Sequence, residues 1–127
     1  VSINKQNTGI KILNQLKKDG QLGIINGLSE SAPIMVEGIL EFIFGTLYAD
    51  DTLDLKTHQI ITLSCLATLG FPKDQIEYHI KNALNIGISK KEIIAIFTHT
   101  SGYAGFPAAL NAIAVARKVF KNISEDK

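Results

Sequence analysis

The chain has 127 residues, 46% apolar and 20% charged, and its 13 basic and 12 acidic side chains leave a formal net charge of +1. That length fits one domain, large enough to bury a core without disulfides or a structural metal, and the composition excludes a disordered chain. So balanced a charge provides no long-range field to gather nucleic acid or an anionic membrane, so neither is an expected partner.

Helical periodicity dominates from the start. A first helix is expected over about Asn4–Lys18, with Ile10, Leu13 and Leu16 as its apolar stripe and Gly20 as its stop. A short helical segment is expected around Gln21–Asn26. Pro33 stands where a first-turn proline belongs. From there to about Tyr48 the chain is apolar almost all round (Ile34, Met35, Ile39, Leu40, Phe42, Ile43, Phe44, Leu47). Such a helix is expected to be buried on several sides, within the protomer or at an interface. Glu37 and Glu41 share one face of it by their spacing and are expected to face solvent.

Ala49-Asp50-Asp51-Thr52 reads as a turn. Asp54 is placed to cap a helix from Leu55 to about Leu69, closed by Gly70-Phe71-Pro72. Asp74 is placed to cap the next, from Gln75 to Asn85. Ser89-Lys90-Lys91-Glu92 is a capping box, in which serine accepts from the amide three residues on and glutamate reaches back. Its helix should reach about Thr100, where Ser101-Gly102-Tyr103-Ala104-Gly105 breaks the path. Pro107 then starts a last helix, rich in alanine (Ala108, Ala109, Ala112, Ala114, Ala116), that runs to about Phe120. Small side chains of this kind let a neighbouring helix approach closely. The expected fold is all-α, a single compact bundle of about six helices over residues 1–127.

No apolar stretch approaches the roughly 20 residues of a membrane span. Val1-Ser2-Ile3-Asn4-Lys5-Gln6 has no signal-peptide core, so the cytoplasm is the expected compartment. The single Cys65 cannot form an internal disulfide, and its place in an apolar helix predicts a buried, inert thiol. The three histidines, His58, His79 and His99, fall on separate helices without short-range ligand spacing. No metal or other cofactor is therefore expected.

Residues 45–116 carry a more specific pattern. It includes Leu53-Asp54-Leu55-Lys56-Thr57, Ile61-Thr62-Leu63, His79-Ile80 and Ala83-Leu84-Asn85-Ile86-Gly87. It closes on Thr98-His99 and Tyr103-Ala104-Gly105-Phe106-Pro107-Ala108-Ala109-Leu110-Asn111-Ala112. This resembles the carboxymuconolactone decarboxylase family, most specifically in the tyrosine–alanine–glycine–x–proline element. The resemblance implies an alkylhydroperoxidase D-like helical fold, assembly into homotrimers or homohexamers, and sites near subunit contacts. It also implies a lyase that removes carbon dioxide from a lactone acid. A second branch of the family reduces peroxides, a peroxiredoxin-type activity, with a Cys-x-x-Cys pair seven and four residues before a histidine. Counting back from His79 gives Pro72 and Gln75, so both thiols are missing and dithiol chemistry is disfavoured.

Histidine is the remaining group suited to proton transfer near neutral pH. His79 matches the histidine that follows the missing cysteines, and His99 matches one found in part of the family. Tyr103, four residues after His99, shares its helical face if the helix continues that far. His58 and Gln59 stand where the family often has arginine followed by glutamate; they are candidate substrate-binding residues, although a glutamine cannot transfer protons. Decarboxylation leaves charge that nearby donors must stabilise, and a proton must then reach carbon. The expected roles are proton delivery by His79, with His99 and Tyr103 donating to the developing oxyanion. The expected function is a lyase acting on a small carboxylated lactone or similar metabolite. The alternatives are a non-catalytic, oligomeric helical binding protein of the same fold and thiol-dependent peroxide reduction on Cys65 alone.

Overall fold

The computed structural model describes residues 3–16 and 27–125, and among these every regular element is helical. The chain forms two compact units that divide between Leu55 and Lys56. The expected stop at Gly20 and the expected helix at 21–26 lie outside the described residues.

In the first unit, helix α1 (Ile3–Leu16) buries Gly9, Leu13 and Leu16 along one stripe. Residues 27–31 are helical, and helix α2 (Pro33–Gly38) follows with its proline in the first turn. It runs without a break into a π-helical segment, Ile39–Leu47. There the amide of Tyr48 reaches the carbonyl of Ile43 at 2.9 Å, and the Thr46 hydroxyl reaches that of Glu41 at 2.9 Å, both five residues back. The buried residues Val36, Leu40, Phe44 and Tyr48 recur every fourth position. Such a row drifts around a helix of 3.6 residues per turn, and the wider π register counters that drift. Phe44 and Tyr48 stack with ring centroids 5.1 Å apart. The chain thus buries one stripe of this helix and leaves Ile34, Met35, Phe42 and Leu47 exposed. Glu37 is exposed as expected, whereas Glu41 is half-buried and accepts from the Gln6 amide at 2.7 Å.

Two glycines let α1 and the π segment meet backbone to backbone. A Cβ on Gly9 would overlap the carbonyl oxygen of Leu40 and lie 3.3 Å from the amide nitrogen of Gly45. A Cβ on Gly45 would overlap the carbonyl oxygen of Lys5 and lie 2.7 Å from that of Leu40. These contacts are with backbone atoms, which cannot rotate aside.

The second unit holds α3 (Leu55–Leu69), α4 (Lys73–Asn85), α5 (Lys90–Ala104) and α6 (Phe106–Glu125). Its core joins Leu63 and Ala67 of α3, Ile76, Ile80 and Ala83 of α4, Ile93 and Phe97 of α5, and Ala112, Ala116 and Val119 of α6. The alanines of α6 act as expected: Ala109, Ala112 and Ala116 form its buried stripe, and α6 packs against both α4 and α5. The capping box is present in full. Glu92 N–H donates to Ser89 Oγ at 3.0 Å, and Ser89 N–H donates to Glu92 Oε1 at 2.9 Å.

Three helix boundaries differ from expectation. Helix α4 begins at Lys73 with Pro72 in the capping position, so Asp74 lies in the first turn instead of capping it. Helix α5 continues past Thr100 to Ala104, carrying Ser101 and Gly102 in the helix. The turn falls at Gly105 alone, whose φ of 95° lies in the left-handed region that favours glycine. The last helix reaches Glu125 because Val119, Phe120 and Ile123 continue its apolar contacts.

Candidate functional site

The buried face of α3 consists of Gln59, Leu63 and Ala67, spaced by four. Gln59 is therefore a polar residue in an apolar row, and it is fully buried. On α4, His79 takes the core face between Ile76 and Ile80 and Ala83 and is only 9% exposed. These two side chains meet. Gln59 Nε2 stands 3.0 Å from His79 Nδ1 and donates to the His79 carbonyl oxygen at 3.1 Å. A buried amide must find partners or lose the hydrogen bonds that water gave it, and one imidazole residue supplies both acceptors.

Burial pushes the His79 imidazole down to a pKa of about 4 from the usual 6.5. The cause is desolvation, which disfavours the charged ring. At neutral pH His79 is uncharged. Tyr78 sets its ring edge-on to the imidazole, centroids 5.0 Å apart at 63°. Burial also raises the Tyr78 phenol, and a hydrogen bond with the Asn82 side chain opposes that shift. Asn82 is fully buried as well. Tyr78 and Asn82 thus belong to this polar cluster although sequence reasoning passed over them. The available signal was Asn82, a polar residue three positions after His79 on the same apolar face.

The other candidates stand in a different environment. His99 and Tyr103 stack as their spacing predicts, with ring centroids 5.5 Å apart and planes at 26°. Both are exposed, Tyr103 at 87%. His79 is buried and neutral, while His99 faces outward. His58 precedes Gln59 on α3 and is half-buried.

Cys65 corrects the expectation of a buried thiol: it is free and exposed. Leu63 and Ala67 take the core side of α3, and the residue midway between them points away from it. With Ser64, Thr68 and Leu69 it lines an open depression, and a second groove runs past Lys73, Asp74, Glu77, Asn111 and Lys118. Among the described residues no group of three His, Cys, Asp or Glu side chains is placed to hold a metal ion. No described helix is long and apolar enough to cross a membrane.

Comparison with known proteins places the sequence among relatives. The model of the carboxymuconolactone decarboxylase family matches residues 33–118. The 4-carboxymuconolactone decarboxylase of Acinetobacter baylyi is 32% identical over 85 residues, which span 67% of this chain and 63% of that protein. The nitrosuccinic acid decarboxylase of Metarhizium robertsii is 29% identical over 122 residues, covering 91% of this chain and 80% of its own. An uncharacterized 15.0 kDa protein of Paracoccus denitrificans is 25% identical over 103 residues, 80% of this chain and 77% of that protein.

Proposed function

The chain belongs to the carboxymuconolactone decarboxylase family, and from that premise we propose that it is a cytoplasmic decarboxylase of small carboxylated metabolites, a lactone acid first among them. Two relatives that carry decarboxylase names support the reaction class. The observation that carries the reading is the buried, uncharged His79 held by Gln59.

In the proposed reaction the bond between the carboxylate and its carbon breaks. Carbon dioxide leaves, and the electron pair passes into the conjugated carbonyl as an enolate. A neutral imidazole in a low-dielectric setting is suited to hydrogen-bond that oxygen as charge develops, with no charged group of its own to reorganise. Its low pKa makes His79 a poor source of the proton that carbon then needs, because the imidazolium is scarce at neutral pH. We assign that delivery to His99, stacked on Tyr103, and the hydrogen bond to the oxyanion to His79, an exchange of the roles expected from sequence. The exposure of His99 and Tyr103 favours a site completed in a homo-oligomer, a trimer or hexamer. The bare apolar side chains of Ile34, Met35, Phe42 and Leu47 favour assembly too.

The test is carbon dioxide release from a panel of carboxylated lactones and nitro-acids, by the wild-type chain and a folded His79→Phe, whose ring carries no hydrogen-bond donor. Losing one oxyanion donor lowers turnover by about 100-fold or more, and that loss is expected here. Release from no member of the panel, or equal release by the variant, overturns the proposal. Gln59, unable to transfer a proton where the resemblance expects glutamate, favours a second reading as a binding protein. Under that reading the panel binds but releases nothing.

A further inference from the structure

One amide nitrogen of Gln59 faces two atoms of the same residue, His79 Nδ1 at 3.0 Å and the His79 carbonyl oxygen at 3.1 Å. A backbone carbonyl only accepts, so it must meet the NH2 end of the amide; the oxygen end would set two lone pairs against each other. The carbonyl thus fixes which way Gln59 points. Both amide hydrogens are then directed at acceptors, and Nδ1 must present its lone pair. The ring proton of the neutral imidazole is left on Nε2.

We propose that Gln59 is a positioning residue that locks His79 as the Nε2–H tautomer, so that the site offers a neutral hydrogen-bond donor and takes an acceptor oxygen of a carboxylate or conjugated carbonyl. Among the described residues Nε2 has no hydrogen-bond partner, and it is not one of the sealed polar atoms, so this donor remains open to a ligand. A glutamate at position 59 would reverse the polarity. Its carboxylate can only accept, which draws the proton to Nδ1 and turns Nε2 into a base. The single exchange of an amide for a carboxylate therefore decides whether this site stabilises a forming oxyanion or removes a proton from its substrate. The ligand class rests on the decarboxylase reading; the lock does not.

The test uses the full chain labelled with 15N and long-range proton–nitrogen correlation spectra of its three histidines at neutral pH, with His79→Gln to assign the resonances. The expected spectrum shows His79 protonated at Nε2 alone, and Gln59→Glu moves the proton to Nδ1. An Nδ1–H or mixed tautomer in the wild type overturns the lock, as does an unchanged tautomer in Gln59→Glu. Should that variant fail to fold, Gln59→Met removes the donor without adding charge: a rise in the Nδ1–H tautomer supports the lock, and an unchanged spectrum overturns it. A wild type that is inactive on every panel acid yet shows the expected tautomers removes the decarboxylase reading alone. With an active panel acid, Gln59→Glu is expected to lower turnover by about 100-fold, as for loss of an oxyanion donor.

Discussion

Acidifying the protein from pH 7 to pH 4 tests the buried imidazole directly. The unfolded chain protonates His79 near the usual 6.5, while the folded protein holds it neutral down to about 4. Between those values the unfolded state binds more protons, so stability falls as pH is lowered and is flat above that window. At 1.36 kcal/mol per pH unit, the gap corresponds to about 3 kcal/mol lost by pH 4. Carboxylates titrate in the lower part of the same range, so the comparison is with His79→Gln, whose amide oxygen can still accept from Gln59 but takes up no proton. Urea unfolding of both proteins at steps between pH 7 and pH 4 gives two curves. The wild type is expected to lose about 3 kcal/mol more than the variant, most of it below pH 6. Parallel curves would show that the ring titrates normally in the folded state, and the desolvation argument would fail.

The two glycines at the α1 contact make a paired prediction. Gly9→Ala should destabilise by roughly 1–3 kcal/mol, because its Cβ meets the fixed Leu40 carbonyl. Gly38→Ala, in open helical backbone with nothing near its Cβ, should instead stabilise by up to about 1 kcal/mol; thermal melts that gave both the same sign would contradict this packing. Ser89→Ala removes the cap of α5 and should cost about 1 kcal/mol in denaturant unfolding. Cys65 should react stoichiometrically with a thiol reagent in native buffer, and Cys65→Ser should leave carbon dioxide release unchanged. Light scattering at micromolar concentration should report a trimer or hexamer, and a monomer would count against assembly.

Helix starts at Pro33 and Lys90 were legible because each is written locally, in a first-turn proline or in the Ser89 capping box, and acts over three or four positions. The π register of Ile39–Leu47 was not, since an all-round apolar run gives no stripe from which to read the turn width. The end of α5 was misjudged because Gly102 and Gly105 look alike in sequence, and only the packing of Thr100 and the positive φ at Gly105 separate them. The stacking of His99 on Tyr103 needed their helix to continue past Thr100, which it does. The meeting of Gln59 with His79 did not, because it joins two helices across the core. Gln59 was read as a substrate contact in place of a missing acid, and what it touches is the candidate histidine itself. Cys65 was assigned by the mean character of its helix, whereas burial is decided by which face Leu63 and Ala67 occupy.

The most direct measurement is the pH dependence of kcat/KM for carbon dioxide release by the wild-type chain. If the neutral imidazole is the working form, activity holds down through pH 6 and fails only as His79 protonates, with an acid limb near its pKa of about 4. An acid limb near the usual 6.5 instead would mean that His79 titrates as an ordinary imidazole, against everything argued from its burial.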